Sequence, residues 1–244
     1  MRAKGPGNVR ILGAGEISGG IRAVRLRVWG AGEVDGDVEA ERIRVLGACE
    51  FRGEVASRDM RTCGACEVYG GVRARFLRAT GAFEAGRVEA EAVRAYGAAE
   101  VGGDLVAKDD VRLRGVLEVA GDVQATRFSA RGSVAVQGLL SADAVLIRLH
   151  RPSHVGTIGG SRIAVRRMSW HRRAIAALLR RRGEPMRLVA EAIEGDEVDL
   201  EATAANVVRG KKVRIGPGCR IARVEYQETL AVHPEAVVDA QVKA

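Results

Sequence analysis

Two groups of residues in this chain have the types and spacing that chemistry requires. Cys63 and Cys66 form a Cys-x-x-Cys pair, the spacing of zinc ligands or of a redox-active dithiol. His150 and His154 lie close together, and histidine serves as an acid or base near neutral pH. The cysteines lack a second pair, and the histidines need a groove that brings acidic groups beside them. We therefore predict no metal site and no catalytic residue.

A third candidate is the sequence Gly13-Ala14-Gly15, followed by Gly19, which imitates a dinucleotide-binding loop. Such a loop opens a helix, whereas the residues that follow here alternate as in a strand. The Gly-Ala pair also returns at Gly30, Gly47, Gly64, Gly81 and Gly97. We therefore attribute it to the geometry of the chain and predict no cofactor.

Glycine recurs about every seventeen residues in two columns. The first column is Gly13, Gly30, Gly47, Gly64, Gly81, Gly97, Gly115 and Gly132. The second is Gly19, Gly36, Gly53, Gly70, Gly86, Gly103, Gly121 and Gly138. A fixed period of this kind means that one short structural unit is stacked. Because glycine allows backbone conformations closed to other residues, each unit is predicted to turn at the same two places.

Between the glycines, apolar residues alternate with mostly polar ones. In one unit the apolar positions are Ile21, Ala23, Leu26, Val28 and Val34. A period of two is that of a strand with one buried face. Three short strands per unit predict an all-β fold, a parallel, right-handed β-helix with rungs of about 17 residues. Its narrow interior suits Val, Ile, Leu and Ala better than rings, and aromatics are only 4% of the chain.

We predict four regions along the chain. Residues 1–167 form the β-helix repeat, and residues 168–184 form a basic amphipathic helix that begins at Ser169 and ends at Gly183. Residues 185–230 resume strand-like alternation as a shorter β-helical segment. Residues 231–244 are expected to be an exposed tail.

The net charge of +8 is concentrated in the basic helix and its approach. One interpretation is a cap on the β-helix, with solvated or paired arginines. The other is a contact with an anionic membrane surface or an acidic protein partner. Nucleic acid is disfavoured because nothing resembles a reading helix or a set of stacking aromatics. The predicted contact residues are Arg166, Arg167, Trp170, Arg172, Arg173, Arg180, Arg181 and Arg182.

The solenoid surface is predicted to carry two charged columns. One is acidic: Glu16, Glu33, Glu50, Glu67, Glu84, Glu100 and Glu118. The other is basic: Arg27, Arg44, Arg61, Arg78, Arg94 and Arg112. They either keep the surface soluble or let the acidic column of one solenoid face the basic column of its neighbour, which gives salt-sensitive lateral association.

The chain has no apolar run of the roughly 20 residues that a membrane span needs, and no apolar signal core at its N-terminus. Its four cysteines do not make a disulfide scaffold. We therefore expect a cytoplasmic protein, with attachment to the inner membrane surface as the alternative.

Valine-rich rungs with paired glycine corners and no catalytic loops resemble the bactofilins, which are polymer-forming bacterial cytoskeletal proteins. The stretch that begins Ile193-Glu-Gly-Asp-Glu-Val-Asp-Leu, followed by Val213-Arg-Ile-Gly-Pro-Gly-Cys and Val224-Glu-Tyr, is similar to the end of the longer bactofilin-like proteins of Gram-positive bacteria. The departures are the basic insertion and the absence of an apolar N-terminal targeting segment.

The resemblance implies a nonenzymatic protein that joins end to end into filaments without nucleotide, with roles in cell shape, envelope organisation or motility. The residues supply a physical reason, because Val9 and Ile11 occupy apolar columns of the first rung with little chain before them to form a cap. We expect these two residues to form the polymer interface with another copy. The alternative is a β-helical adaptor that binds a membrane or acidic partner through its Arg-rich helix without polymerising.

Overall fold

The computed structural model describes residues 7–167 and 186–244, and every regular element among them is a β-strand. The fold is an all-β parallel solenoid of many turns, as the repeat predicts, and it divides into two compact units between Gly121 and Asp122. The first unit contains β1 (Asn8–Ile17), β2 (Ile21–Val34), β3 (Val38–Phe51), β4 (Val55–Val101) and β5 (Leu105–Val119). The second contains β6 (Val123–Leu149), β7 (Ser153–Arg167), β8 (Leu188–Leu200), β9 (Thr203–Ile215), β10 (Arg220–Val232) and β11 (Val237–Lys243).

Within each unit, every strand pairs in parallel with the next strand along the chain. The predicted alternation is confirmed: Leu26, Val28 and Phe51 in the first unit, and Val134 and Ile147 in the second, have no exposed surface. Like positions stack on like positions at the strand spacing of about 4.8 Å. Burial of such a side chain stabilises the fold by about 1.5–3 kcal/mol, so the interior ladders hold the rungs together.

The glycines of the first column turn the chain without interrupting the ladder. Gly30 and Gly64 have φ angles of +114° and +121°, a region that residues with a side chain rarely adopt. Gly13, Gly30 and Gly47 also remain paired in register. Because pairing continues through this corner, the strands are longer than the three short segments per rung expected from sequence, and β4 extends over 47 residues.

The second glycine column shares the close approach of rungs with the first column but mostly lacks its positive φ angles. Among its members only Gly19 has a positive φ. At Gly70, a Cβ would lie 2.7 Å from the carbonyl oxygen of Gly53, and at Gly36 it would lie 2.5 Å from the backbone nitrogen of Gly20. Glycine is required at Gly36 and Gly70 because successive rungs approach too closely for a side chain.

The C-terminal segment continues the ladder of the repeat. β8 pairs directly with β7, and Ser153 aligns with Leu188. β8 is therefore the next rung of the ladder after β7, which agrees with the docking of this segment onto the end of the first stack. The predicted basic helix lies outside the described residues. The stretch 231–244 is largely exposed, but it contains β11, which pairs with β10.

Candidate assembly surfaces

The outer edge of β1 is the first candidate surface for assembly. Among the described residues, β1 pairs only with β2. Val9 aligns with Leu26 and is half-buried, whereas Ile11 aligns with Val28 and is 5% exposed. Of the two predicted interface residues, Ile11 thus belongs to the interior, and Val9 keeps part of its surface open.

The inward positions at the end of β1 are also incompletely buried. Gly15 and Ile17 occupy inward positions there, yet Gly15 is exposed and Ile17 is half-buried. Two rungs further on, the same positions hold Cys49 and Phe51, which are 3% and 0% exposed. Within residues 7–167 and 186–244, the edge of β1 therefore combines backbone groups that no other strand pairs with and an accessible apolar interior, two features that favour pairing with another strand.

The edge of β11 has a different character. Among the described residues, β11 pairs only with β10. Gln241 aligns with the fully buried Val224, and Lys243 aligns with Tyr226. Gln241 and Lys243 weaken further pairing of this edge, but Val237 and Val242 of the same strand are 54% and 37% exposed, so β11 is a mixed edge whose apolar residues still favour contact with another strand.

The Arg-rich surface predicted from the sequence is only partly described. The Arg166 guanidinium donates two hydrogen bonds to the Asp199 carboxylate, at 2.6 and 2.7 Å. The backbone N–H of Arg167 donates to Glu201 at 3.2 Å. Arg166 is therefore paired within the chain, at the point where the chain leaves the ladder. The other predicted contact residues, Trp170, Arg172, Arg173, Arg180, Arg181 and Arg182, lie outside the described residues.

Sequence reasoning missed Asp199 and Glu201 as partners of these arginines. Ala164 aligns with Asp199, two residues before Arg166, so the pair forms diagonally between β7 and β8. The sequence repeat gives the register between β7 and β8 only when the residues that separate the two strands are omitted. The sequence contains the carboxylate of Asp199, but it does not show which residue of β7 lies beside it.

The acidic column carries charge that the described part of the chain only partly compensates. Glu33 forms an ion pair with Arg52. Partial desolvation raises the pKa of Glu84, and the neighbouring carboxylates of Glu67 and Glu100 raise it further. Stacked like charges repel one another, so a positively charged partner would stabilise this column.

The basic column is similarly uncompensated near β1. Within residues 7–167 and 186–244, Arg27 and Arg44 form no ion pair. One rung further on, Arg61 is paired with Asp59 at 3.0 Å. In the part of the chain that the structure describes, Arg78 and Arg94 of the same column form no ion pair either, so unpaired guanidinium groups are spread along the column.

Sequence reasoning also missed a column of exposed apolar residues beside the first glycines. Leu12, Trp29 and Leu46 are 62%, 47% and 50% exposed. Each immediately precedes a glycine of the first column. Reading that column down the repeat would have shown them, because outward positions elsewhere on the strands are mostly polar.

The cysteine pair divides between the interior and the surface, as predicted. Cys66 aligns with Cys49, and both are buried, whereas Cys63 aligns with Leu46 and is exposed. Burial raises the pKa of Cys49 to about 12 and raises that of Cys66 as well. In the part of the chain that the structure describes, no three potential ligands come together as a metal would require. Cys49 and Cys66 therefore act as small apolar residues of the core.

We expect only one of the four cysteines to react quickly with Ellman's reagent in the folded protein. The thiolate is the reactive form, and burial disfavours it at Cys49, Cys66 and Cys219. The measurement is absorbance of released thionitrobenzoate at pH 8. Cys63→Ala should abolish the fast phase, and denaturant should release all the thiols. A second fast thiol in the folded protein would contradict this assignment.

The described histidines lie at the surface. His150, His154 and His233 are all exposed, and the His233 Nδ1 accepts a hydrogen bond from the Glu235 backbone N–H at 3.1 Å. His171 lies outside the described residues. In the described part of the chain, neither His150 nor His154 forms a hydrogen bond or an ion pair with a carboxylate, so the structure adds no geometric support to catalysis at these residues.

The chain is similar to two proteins of Bacillus subtilis. The uncharacterized protein YhbF of Bacillus subtilis (strain 168) is 40% identical over 107 residues, which are 43% of this chain and 42% of YhbF. The uncharacterized protein YhbE of the same strain is 40% identical over 109 residues, 44% of each chain. The match thus spans less than half the length of each relative.

No family model matches the chain, and no solved structure matches it. In the described ranges 7–167 and 186–244, no helix is both long enough and apolar enough to cross a membrane. The solenoid fold is consistent with a structural or scaffold protein.

Proposed function

We propose that this chain is a nonenzymatic structural protein that assembles end to end into filaments without nucleotide, as the bactofilins it resembles do. The observation that supports the proposal is the outer edge of β1, which no other described strand pairs with and where Ile17 and Val9 are two incompletely buried apolar residues. A parallel ladder of this kind extends by adding one more strand in register. The filament would serve as a cytoplasmic scaffold for cell shape, envelope organisation or motility.

The physical argument rests on what an unpaired strand costs. Each backbone N–H and C=O group on the outer side of β1 must bond to water or to another strand. Pairing with another copy would satisfy these groups and would bury the exposed part of the first rung, at about 25 cal/mol per Å² of apolar area. Nucleotide chemistry is unnecessary for such an assembly, because the free energy comes from burial and backbone pairing alone.

The experiment is negative-stain electron microscopy of the purified full chain without nucleotide, across salt and protein concentration. We expect filaments for the wild type and at least a tenfold loss of filament mass for Val9→Lys. A lysine on an edge strand keeps its charge in water and blocks further pairing. Pelleting of polymer by centrifugation gives the same comparison quantitatively.

The matched control is Val189→Lys. Val189 is 41% exposed, but it lies on β8, which is paired on both sides with β7 and β9. This lysine therefore adds the same charge without touching an open edge, and filaments should persist. Short, monodisperse wild-type particles under every condition would refute end-to-end assembly. Equal effects of the two lysines would refute the role of β1.

A further inference from the structure

An exposed apolar ladder runs beside the first glycine column of the first unit. Leu12, Trp29 and Leu46 are successive partners in the register, and the exposed Cys63 follows Leu46. The apolar ladder, defined by these four residues, lies within the first four rungs. Contiguous exposed apolar side chains of this kind are typical of a surface that another molecule covers.

Further along the same column the apolar character is lost. Tyr96 is half-buried, and the guanidinium groups of Arg78 and Arg114 lie 5.4 and 5.8 Å from the centre of its ring. Arg114 itself occupies the next position in the column. The surface is therefore bounded in length, so a partner has one favourable alignment along it.

The apolar ladder has a basic column on one side. Arg27 and Arg44 lie two residues before Trp29 and Leu46, and the residue between each pair faces the interior, so arginine and apolar side chain share one outer face. Both arginines lack an ion pair in the described part of the chain.

Beyond the glycine column the order is different. Ala31 and Ala48 are exposed, and two residues later come Glu33 and Glu50 of the acidic column. Across the corner, each rung therefore presents arginine, a large apolar residue, glycine, alanine and glutamate in that order. The large apolar residue and the alanine lie at equal distances in sequence on the two sides of the glycine. The arginine and the glutamate do so as well.

Two copies of this surface are complementary to each other in only one relative orientation. When two copies face each other with their rungs stacked in the same direction, the order of one is reversed relative to the other. Arginine then faces glutamate, and Trp29 or Leu46 faces the alanine column. When the two copies run in opposite directions, arginine faces arginine and glutamate faces glutamate, which is repulsive.

We propose that a second copy of this chain packs side by side against the apolar ladder, in parallel orientation and rung against rung. The pairing buries Trp29 and Leu46 against the partner's alanines and places Arg44 opposite the partner's Glu50. This inference rests on the proposed scaffold function, because lateral pairing would bundle filaments. The pairing itself requires no end-to-end joining.

The orientation is tested by chemical cross-linking at low salt with a short bismaleimide. Parallel pairing brings Cys63 of one copy to the same rung as Cys63 of the other, so the wild type should form a covalent dimer. The variant Cys63→Ala with Leu12→Cys moves the thiol three rungs along the same exposed column and should also form a dimer. In antiparallel copies, the axial separation between paired thiols would differ by about 29 Å between these two positions, at about 4.8 Å per rung, so a short linker could join only one pair. Failure at either position overturns the parallel arrangement.

The contacts are tested with Trp29→Asp/Leu46→Asp, which should lower cross-linking at least tenfold. Circular dichroism should be unchanged, because both side chains are exposed. Cross-linking should also fall as salt rises from 0.05 to 1 M, since the Debye length shortens from above about 10 Å to about 3 Å. Unchanged cross-linking in this variant overturns the proposal.

A charge exchange distinguishes specific pairing from loss of folding. Arg27→Glu/Arg44→Glu and Glu33→Arg/Glu50→Arg should each fail to cross-link alone, because like charges then face each other. An equimolar mixture of the two variants should recover cross-linking to within twofold of the wild type. A mixture that remains inactive overturns the proposed arrangement of the columns.

Different variants should abolish lateral assembly and end-to-end assembly. Val9→Lys should abolish filaments and leave the Cys63 cross-link intact, whereas Trp29→Asp/Leu46→Asp should leave single filaments that do not bundle. Vesicles of phosphatidylglycerol provide the competing occupant. If wild-type protein floats with these vesicles through Trp29 and Leu46 but never cross-links, the surface binds lipid and the proposal is overturned.

Discussion

Gly64→Ala is expected to destabilise the first unit by about 3 kcal/mol or more. Gly64 has φ +121°, a conformation that residues with a side chain rarely adopt. A Cβ at this position would also collide with the carbonyl oxygen of Gly47 on the preceding rung. Neither backbone can move away freely, because both belong to a ladder that is paired through the corner.

The matched control for Gly64→Ala is Gly13→Ala in the same column. Gly13 has φ +77°, but no atom lies within 4 Å of a Cβ built on it. This variant should cost only about 1–2 kcal/mol, the ordinary penalty of the left-handed conformation. Urea unfolding followed by circular dichroism measures both free energies of unfolding. Equal losses in the two variants would show that contact between rungs adds nothing to the requirement for glycine.

The interior of the solenoid could be predicted from the sequence because it depends on short-range alternation. Leu26 and Val28 repeat in kind at Ile43 and Val45, and one polar residue separates each pair. A period of two leaves only one choice of buried face, and the fixed repeat aligns that face from rung to rung. The first glycine column was predictable for the same reason, since its φ angles follow from a turn that every rung makes.

Contacts that depend on the distance between rungs could not be predicted in the same way. The need for glycine at Gly70 comes from the carbonyl of Gly53, which is near only after stacking. The Arg166–Asp199 pair depends on the register between β7 and β8, which the intervening residues conceal. Sequence spacing gives the order of such groups but not their separation.

The candidate surfaces also combine features that the sequence predicts with features that depend on packing between rungs. The place of Val9 in an apolar column of β1 could be predicted, because it follows from the repeat alone. The burial of Ile11 was not predicted, since the cover over each inward position depends on packing between rungs. The apolar ladder was visible in the sequence at Leu12 and Trp29, but exposed apolar residues indicate a partner only when their neighbours form one continuous surface.

Phe51→Ala is expected to destabilise the first unit by about 3–5 kcal/mol. Phe51 is fully buried, and its register partners on the adjacent strands are Val34 and Val68. Removing the ring leaves a cavity between the two valines that align with it. Valine at the neighbouring positions is too short and too stiff at its branched Cβ to fill that space.

The matched control is Phe76→Ala, which removes the same ring from the surface. Phe76 is 46% exposed, and the Arg75 guanidinium lies 5.2 Å from the centre of its ring. Losing this contact and the partial burial should cost only about 1 kcal/mol. Urea unfolding of the two variants gives the difference directly, and similar free energies would contradict the assignment of Phe51 to the core.

The position of the damage caused by Phe51→Ala should also be measurable. In a solenoid each rung contacts only its neighbours, so a cavity at Phe51 weakens the contacts of β3 with β2 and with β4. Hydrogen exchange should therefore accelerate most in these strands, while amides of β9 in the second unit keep their protection. Uniform acceleration through both units would mean that the rungs unfold as a single cooperative block, and the nearest-neighbour description would then be wrong for this chain.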